Sequence, residues 1–168
     1  MPANNDYPVL DGIAPSWADV IIRITPAGAP LIDMKDIAAI NTGAAVEVGE
    51  QRAGGRVMRT TTGSVSYEGS LTLYRTGLVA LQRGLVIAAK AAGFVRGDQV
   101  LISLVNFGIQ IQHTPPGSVE IYEQRLKGCR YLGRTLNSAE GTDAEQAEVP
   151  LHVKEIVDVI DGEEVVAL

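Results

Sequence analysis

One cysteine and two histidines are all the thiol and imidazole that the 168 residues contain, and this scarcity removes several kinds of chemistry. Cys129 alone closes no disulfide within the chain and supplies no four-cysteine zinc site. Nothing in the cysteine usage points to an oxidising compartment. Aromatic residues amount to only 5%, whereas a barrel enclosing an apolar ligand needs several of them around its cavity. Long hydrophobic runs are missing too. The longest uncharged stretch, Gln99 to Val119, is interrupted by Ser103, Asn106, Gln110, Gln112, His113 and the turn Pro115-Pro116-Gly117, so no membrane insertion is expected. The opening MPANNDYPVLDG has neither the basic nor the apolar region of a secretory signal, which predicts synthesis in the cytoplasm.

Catalytic frameworks are equally scarce. The sequence contains no Gly-x-x-x-x-Gly-Lys phosphate loop, no Gly-x-Gly-x-x-Gly fingerprint, no Gly-x-Ser-x-Gly elbow and no His-Glu-x-x-His helix. Cys129 with His113 or His152 is the one thiol and imidazole combination on offer, and a nucleophile would require them within hydrogen-bond reach. A lone cysteine among strand residues is more often a small buried hydrophobe. The acids Asp158, Asp161, Glu163 and Glu164 gather oxygens suited to a hard cation but lack the spacing of a calcium loop. An Asp161-Gly162 turn between two strands accounts for them more simply. Glu120 and Glu123 have opposite strand parity, which separates them as an acid/base pair. No enzyme, metal or cofactor is therefore expected.

Positive charge is the other deficit. Lys and Arg total 14 against 20 acids, for a net charge of −6, and a nucleic-acid clamp would need the reverse balance. Residues 1–94 carry eight acids and eight bases, so the whole excess lies after Phe94. From Thr135 onward nine acids face Lys154 alone. Such a run makes either a solvated surface or a wall that repels anions.

The pattern of what is present is mostly that of β-structure. Residues 1–18, with Pro2, Pro8 and Pro15, read as an extended arm that Tyr7 and Trp17 can anchor. Val20, Ile22 and Ile24 alternate in a strand closed by Pro26-Ala27-Gly28, and Ile37 to Asn41 reads as another short strand. Ala45 to Arg52 and Arg56 to Thr62 flank Ala53-Gly54-Gly55, whose glycines permit the positive φ of a tight turn, so a projecting β-hairpin is predicted. Ser64 to Tyr74 alternates cleanly, with Val65, Tyr67, Leu71 and Leu73 on the apolar face. The period then changes to three or four at Leu78, Leu81, Leu85, Ala88 and Ala92, which predicts one helix of about 17 residues, capped by Thr76 and ended by Gly93. Gly84 in its middle is unfavourable unless a sheet packs closely there. Three long strands follow, over Val100–Gln112, Val119–Leu136 and Val149–Ile160, and a terminal one over Glu164–Leu168. One helix among many strands, without a βαβ rhythm, predicts an antiparallel β-sandwich or barrel with one flanking α-helix over a single domain of residues 1–168.

The hairpin VEVGEQRAGGRVMR, the strand-to-helix segment TTTGSVSYEGSLTLYR and the late run KGCRYLGRTLNSAEGTDAEQAEVPLHVKEI together resemble the phage tail tube protein family. That family includes the tubes of contractile-tailed phages and is similar to the inner tubes of injection systems. The resemblance covers roughly Asp19 to Asp161 and rests on the order of elements. It implies a structural virion protein whose six-membered rings stack into a hollow tail tube for DNA ejection, with sheath, tape-measure and baseplate proteins as partners. It also implies contact residues on the hairpin, for which Glu47, Glu50, Arg52, Arg56 and Arg59 are the candidates, and a lumen whose acids repel DNA, for which Glu120, Glu123, Glu145 and Glu148 are the candidates. A terminator, a baseplate ring or an injection-system tube would share these features. A monomeric ligand-binding β-barrel is the alternative of a different kind.

Overall fold

The structure, a computed structural model, describes residues 20–114, 121–138 and 144–166. The predicted arm over residues 1–18, the turn Pro115-Pro116-Gly117 and Glu120 lie outside the described residues. Twelve strands and one α-helix follow in order: β1 (Val20–Pro26), β2 (Ile32–Met34), β3 (Ile37–Ala53), β4 (Arg56–Tyr74), α1 (Arg75–Ala91), β5 (Val95–Arg96), β6 (Gln99–Val100), β7 (Phe107–His113), β8 (Tyr122–Tyr131), β9 (Thr135–Asn137), β10 (Gln146–His152), β11 (Glu155–Ile160) and β12 (Glu163–Val166). All strand pairs are antiparallel. The predicted class, mainly β with one flanking helix and a projecting hairpin, is the observed one.

Ten strands form a single sheet that divides into two lobes at β8. The first lobe runs β2-β1-β7-β8-β11-β12 and the second runs β8-β10-β4-β3, with β9 on β10. Along one edge of β8, Glu123–Lys127 pair with β11, and Arg130 and Tyr131 pair with β10. The change of partner happens at Gly128, whose φ of +65° makes a bulge where the β7–β8 register shifts. A Cβ at Gly128 would stand 2.8 Å from the Cβ of Lys154, because the β10–β11 link crosses between the lobes at the same level and Lys154 N–H donates to Lys127 O at 3.2 Å.

Those crossings correct two sequence expectations. Val119–Leu136 and Val149–Ile160 each read as one long strand because both are rich in strand-forming residues, although the buried positions change phase from Leu126 to Cys129 and from Val153 to Ile156. Each is instead two strands, because each serves both lobes. A third correction concerns Val100–Gln112: a 3-10 turn over Ile102–Leu104 precedes β7 and turns Val105 into the core. The first long strands are corrected in the opposite sense, since Ile37–Asn41 merges with the hairpin into one 17-residue strand and Ser64–Tyr74 into one 19-residue strand.

One core joins all layers. Ile22, Ile24, Ile109, Leu126 and Ile156 come from the first lobe, Leu71, Leu73, Val149 and Leu151 from the second, and Leu78, Leu81, Leu85 and Ala88 from α1. The predicted helix face is the buried one except at Ala92, which is exposed, while Ala89 is buried. Gly84 fits its expectation, because a Cβ there would lie 2.1 Å from Cδ1 of Ile32 in β2. Gly93, at φ +77°, ends the helix as predicted. Its N–H reaches Lys90 O and the Phe94 N–H reaches Ala89 O, which satisfies two terminal carbonyls. The start differs: Tyr74 occupies the N-cap position without a side-chain cap. Thr76 instead donates its hydroxyl to the Asp36 carboxylate at 2.8 Å, because Gly77 lets the first turn lie directly on the Asp36 backbone.

Candidate functional site

Strands β3 and β4 leave the core together and continue far beyond it. Ile40 and Leu71 still pair over the core. Beyond Asn41 and Ser70 the ribbon loses cover, and nearly every described side chain from residue 41 to residue 66 is exposed. From Asn41 to Ala53 the ribbon is about 40 Å long at strand rise. Gly54 and Gly55 close it with φ of +59° and +77°, the two positive values that a two-residue hairpin turn requires. Extra residues at two places on β4 shift the register, between Val46 and Val48 and between Gln51 and Arg52. Gly63 makes the first tolerable, since a Cβ there would lie 2.7 Å from Glu47 O.

The two faces of the ribbon differ. The face continuous with the core carries Val46 opposite Val65, Glu50 opposite Thr60 and Arg52 opposite Val57, and Val48 on it is 62% exposed. The other face carries Gln51 opposite Arg59 and Ala53 opposite Arg56, with Glu47 joining them by strand alternation. All five predicted contact residues are exposed on this hairpin. Glu50 and Arg52 pair at 2.6 Å, whereas Arg56 and Arg59 have no ion pair among the described residues.

The predicted lumen acids are dispersed. Glu123 sits on the polar face of the first lobe with its side chain only 11% exposed, and accepts hydrogen bonds from Gln110 at 2.8 Å, Gln112 at 3.2 Å and Arg125. Burial alone would raise its pKa, but these donors and the Arg125 charge outweigh that and hold the carboxyl below its usual range. Glu145 lies beside the helix start, where Ser138 and Arg75 hold its pKa down. Glu148 is exposed on β10, between Thr72 and Thr135.

Glu123 belongs to a network that the sequence did not reveal. Arg23 bonds Asp33 at 3.3 Å and Gln112 at 3.5 Å. Gln112 passes the chain to Glu123, Glu123 to Arg125, and Arg125 with Lys127 grips the Glu164 carboxylate at 2.8 and 2.6 Å. Strands β2, β1, β7, β8 and β12 are thus laced across one face. Alternation of Gln110 and Gln112 with Ile109 and Ile111 was the available signal, but the cross-strand partners depend on register.

The residues singled out for chemistry are placed apart. Cys129 is buried and its thiol is pushed up to about 12 by burial, opposite to what a nucleophile needs. His113 pairs with Tyr122 at the far end of β8, and His152 pairs with Arg130 on the exposed side. Asp161 and Gly162 have φ of +52° and +83° and form the tight turn between β11 and β12. Among the described residues no group of His, Cys, Asp or Glu is arranged to hold a metal, and no helix is long and apolar enough to cross a membrane.

Comparison of the sequence with protein-family models and with curated proteins finds no match. Comparison of the fold with solved structures does. The SPP1 tail tube is similar over 85% of this chain and 77% of its own, at 15% identity and a TM-score of 0.57. The chain has the tail-tube fold. The sheath/tube terminator of an extracellular contractile injection system, PVC, shares it over 91% of this chain and 97% of its own, at 14% identity and a TM-score of 0.60. So does a chain of the six-fold symmetrised baseplate of the anti-feeding prophage, over 83% and 91%, at 13% identity and a TM-score of 0.59. At 13–15% identity the likeness is one of fold.

Proposed function

We propose that the protein is a structural component of a tail, forming stacked hexameric rings that make the hollow tube through which DNA passes during ejection. The observation that carries this reading is the β3–β4 ribbon. A two-stranded ribbon in water is marginal by itself, and this one exposes both faces over about 40 Å. Other copies of the chain are the cover that explains both its length and its exposed Val48, Val57 and Val65. The ribbon residues Glu47, Glu50, Arg52, Arg56 and Arg59 are then subunit or ring contacts. The role is non-enzymatic and needs no cofactor, and residues 1–168 act as one tail-tube domain with an N-terminal arm. Sheath, tape-measure and baseplate proteins are the expected partners, and the location is the virion tail.

Six copies at −6 each give a ring a charge of −36, which favours passage of DNA without adhesion. Glu123 and Glu145 contribute less to that than their number suggests, because Arg125 and Arg75 already offset them. Glu148 and Glu120 remain as lumen acids. A second reading, a terminator or baseplate ring, is favoured by the likeness to the PVC terminator and the anti-feeding prophage baseplate.

Negative-stain microscopy of the concentrated protein tests the proposal. Long uniform tubes support a tube protein, and isolated rings support the second reading. A monodisperse monomer at every concentration refutes both.

A further inference from the structure

The ribbon tip and the β11–β12 end of the first lobe are opposite in chemistry. Residues 50–59 hold Arg52, Arg56 and Arg59 against Glu50 alone. Arg52 is taken by Glu50, whereas Arg56 and Arg59, on the other face at the tip, have no ion pair among the described residues. Residues 155–164 hold five acids and no base. Glu164 is gripped by Arg125 and Lys127, whereas Asp161 and Glu163 are exposed and have no ion pair among the described residues.

The acids do not stand alone. They border a groove at the His113–Tyr122 end of the first lobe, lined among the described residues by Ile111, His113, Tyr122, Gln124, Asp158 and Ile160. Ile160 and Tyr122 are more than half exposed there. Apolar walls and carboxylates without an ion pair among the described residues together suit a cationic, partly apolar insert, and the tip segment Arg56-Val57-Met58-Arg59 has that composition.

A single copy cannot close this contact on itself. Thr42, at the root of the ribbon, bonds Gln124 at 3.0 Å, and Gln124 in turn bonds Asp158 at 2.9 Å. The groove therefore adjoins the root, and Ala53 lies eleven residues further out, about 37 Å along a continuously hydrogen-bonded ribbon. We infer that the ribbon tip of one copy docks into this groove of a second copy, with Arg56 and Arg59 meeting Asp158, Asp161 and Glu163. The contact joins unlike patches, so it repeats from copy to copy rather than closing a symmetric pair. It rests on the proposed tube and names the surface that receives its hairpin.

Two measurements on the full chain test the docking. In the first, Arg56→Glu/Arg59→Glu and Asp161→Lys/Glu163→Lys are each followed by sedimentation and microscopy. Each charge reversal is expected to raise the concentration needed for assembly about tenfold or more, and the quadruple variant to recover it. In the second, Arg59→Cys protein is mixed with Asp161→Cys protein under oxidation, and a disulfide-linked pair is expected to form well ahead of an Arg59→Cys and Lys90→Cys control mixture. Tubes that form unchanged from Asp161→Lys/Glu163→Lys, or linkage no faster than the control, overturn the docking and leave the tube reading standing. Linkage without tubes from the wild-type chain has the converse meaning.

Discussion

Replacing Gly128 with alanine tests whether the two lobes depend on one backbone position. Two penalties add there. The φ of +65° places an L side chain in the left-handed region, at a cost of about 1–2 kcal/mol. The new Cβ would also stand 2.8 Å from the Lys154 Cβ, so the β10–β11 link must shift and strain its hydrogen bond to Lys127 O. Together these predict a loss of roughly 2–3 kcal/mol, or about 5–10 °C in Tm for a chain of this size. Two other glycines separate the terms. Gly93 has φ +77° with open space around the added carbon, so Gly93→Ala should lose only the conformational part, about 1–2 kcal/mol. Gly43 has neither problem, and Gly43→Ala should stay within about 0.5 kcal/mol of wild type. The assay is thermal denaturation followed by circular dichroism at one low protein concentration, since assembly would otherwise raise the apparent stability. If Gly128→Ala melts with Gly43→Ala, the lobe junction is not where β8 is constrained and the reasoning fails.

Other perturbations follow from the same geometry. Cys129 should resist thiol reagents at pH 8 in the native protein and react fully in denaturant. Its raised pKa, about 12, also means that the native state favours the protonated thiol, so stability should be steady below the ordinary thiol pKa and decline as pH rises toward 12. Reaction of the native thiol at the unfolded rate would contradict its burial. Glu123→Leu deprives Gln110, Gln112 and Arg125 of one acceptor and should cost about 1–3 kcal/mol by denaturant titration. Because the Glu123 pKa is lowered on folding, its contribution is present above the ordinary carboxylate range and is lost as pH falls through the depressed native value. The Glu123→Leu difference from wild type should therefore shrink in acid, and a difference that grows there would reverse the assigned sign. Leu81→Ala removes a fully buried side chain beneath α1 and should cost about 2–5 kcal/mol; a change under 1 kcal/mol in the denaturation midpoint analysis would mean the helix is not part of the core.

Local signals carried most of what was legible in the sequence. Gly54-Gly55, Asp161-Gly162 and Gly93 sit where the backbone takes positive φ, and a glycine or aspartate at such a point announces itself without knowledge of the remainder. The apolar period of α1 and the alternation at Leu71 and Leu73 likewise reflect burial directly. The breaks at residues 132–134 and Val153-Lys154 were missed although the apolar alternation changes phase between Leu126 and Cys129 and between Val153 and Ile156, because a phase change alone does not say which strands lie on either side of it. The start of α1 was misplaced for a similar reason, since Thr76 has the chemistry of a cap but the Asp36 backbone occupies that end. The exposure of Glu47, Glu50, Arg52, Arg56 and Arg59 was legible because the hairpin that carries them is written in the local pattern. The partners of Glu123 were not, because Gln110 and Gln112 reach it only through the β7–β8 register, which the chain does not announce.

The hydrogen-bonded ribbon also acts as a ruler. Its reach is fixed by the number of rungs between Thr42 and Ala53, so in the proposed tube the distance between linked copies would be written in the chain. Such a gauge changes only in steps: one added residue on each strand would turn the arginines to the wrong side, and two would restore them while lengthening the reach by about 7 Å. In the proposed tube a side chain between root and tip can be exchanged one at a time, whereas any change in the ribbon's length displaces Arg56 and Arg59 together.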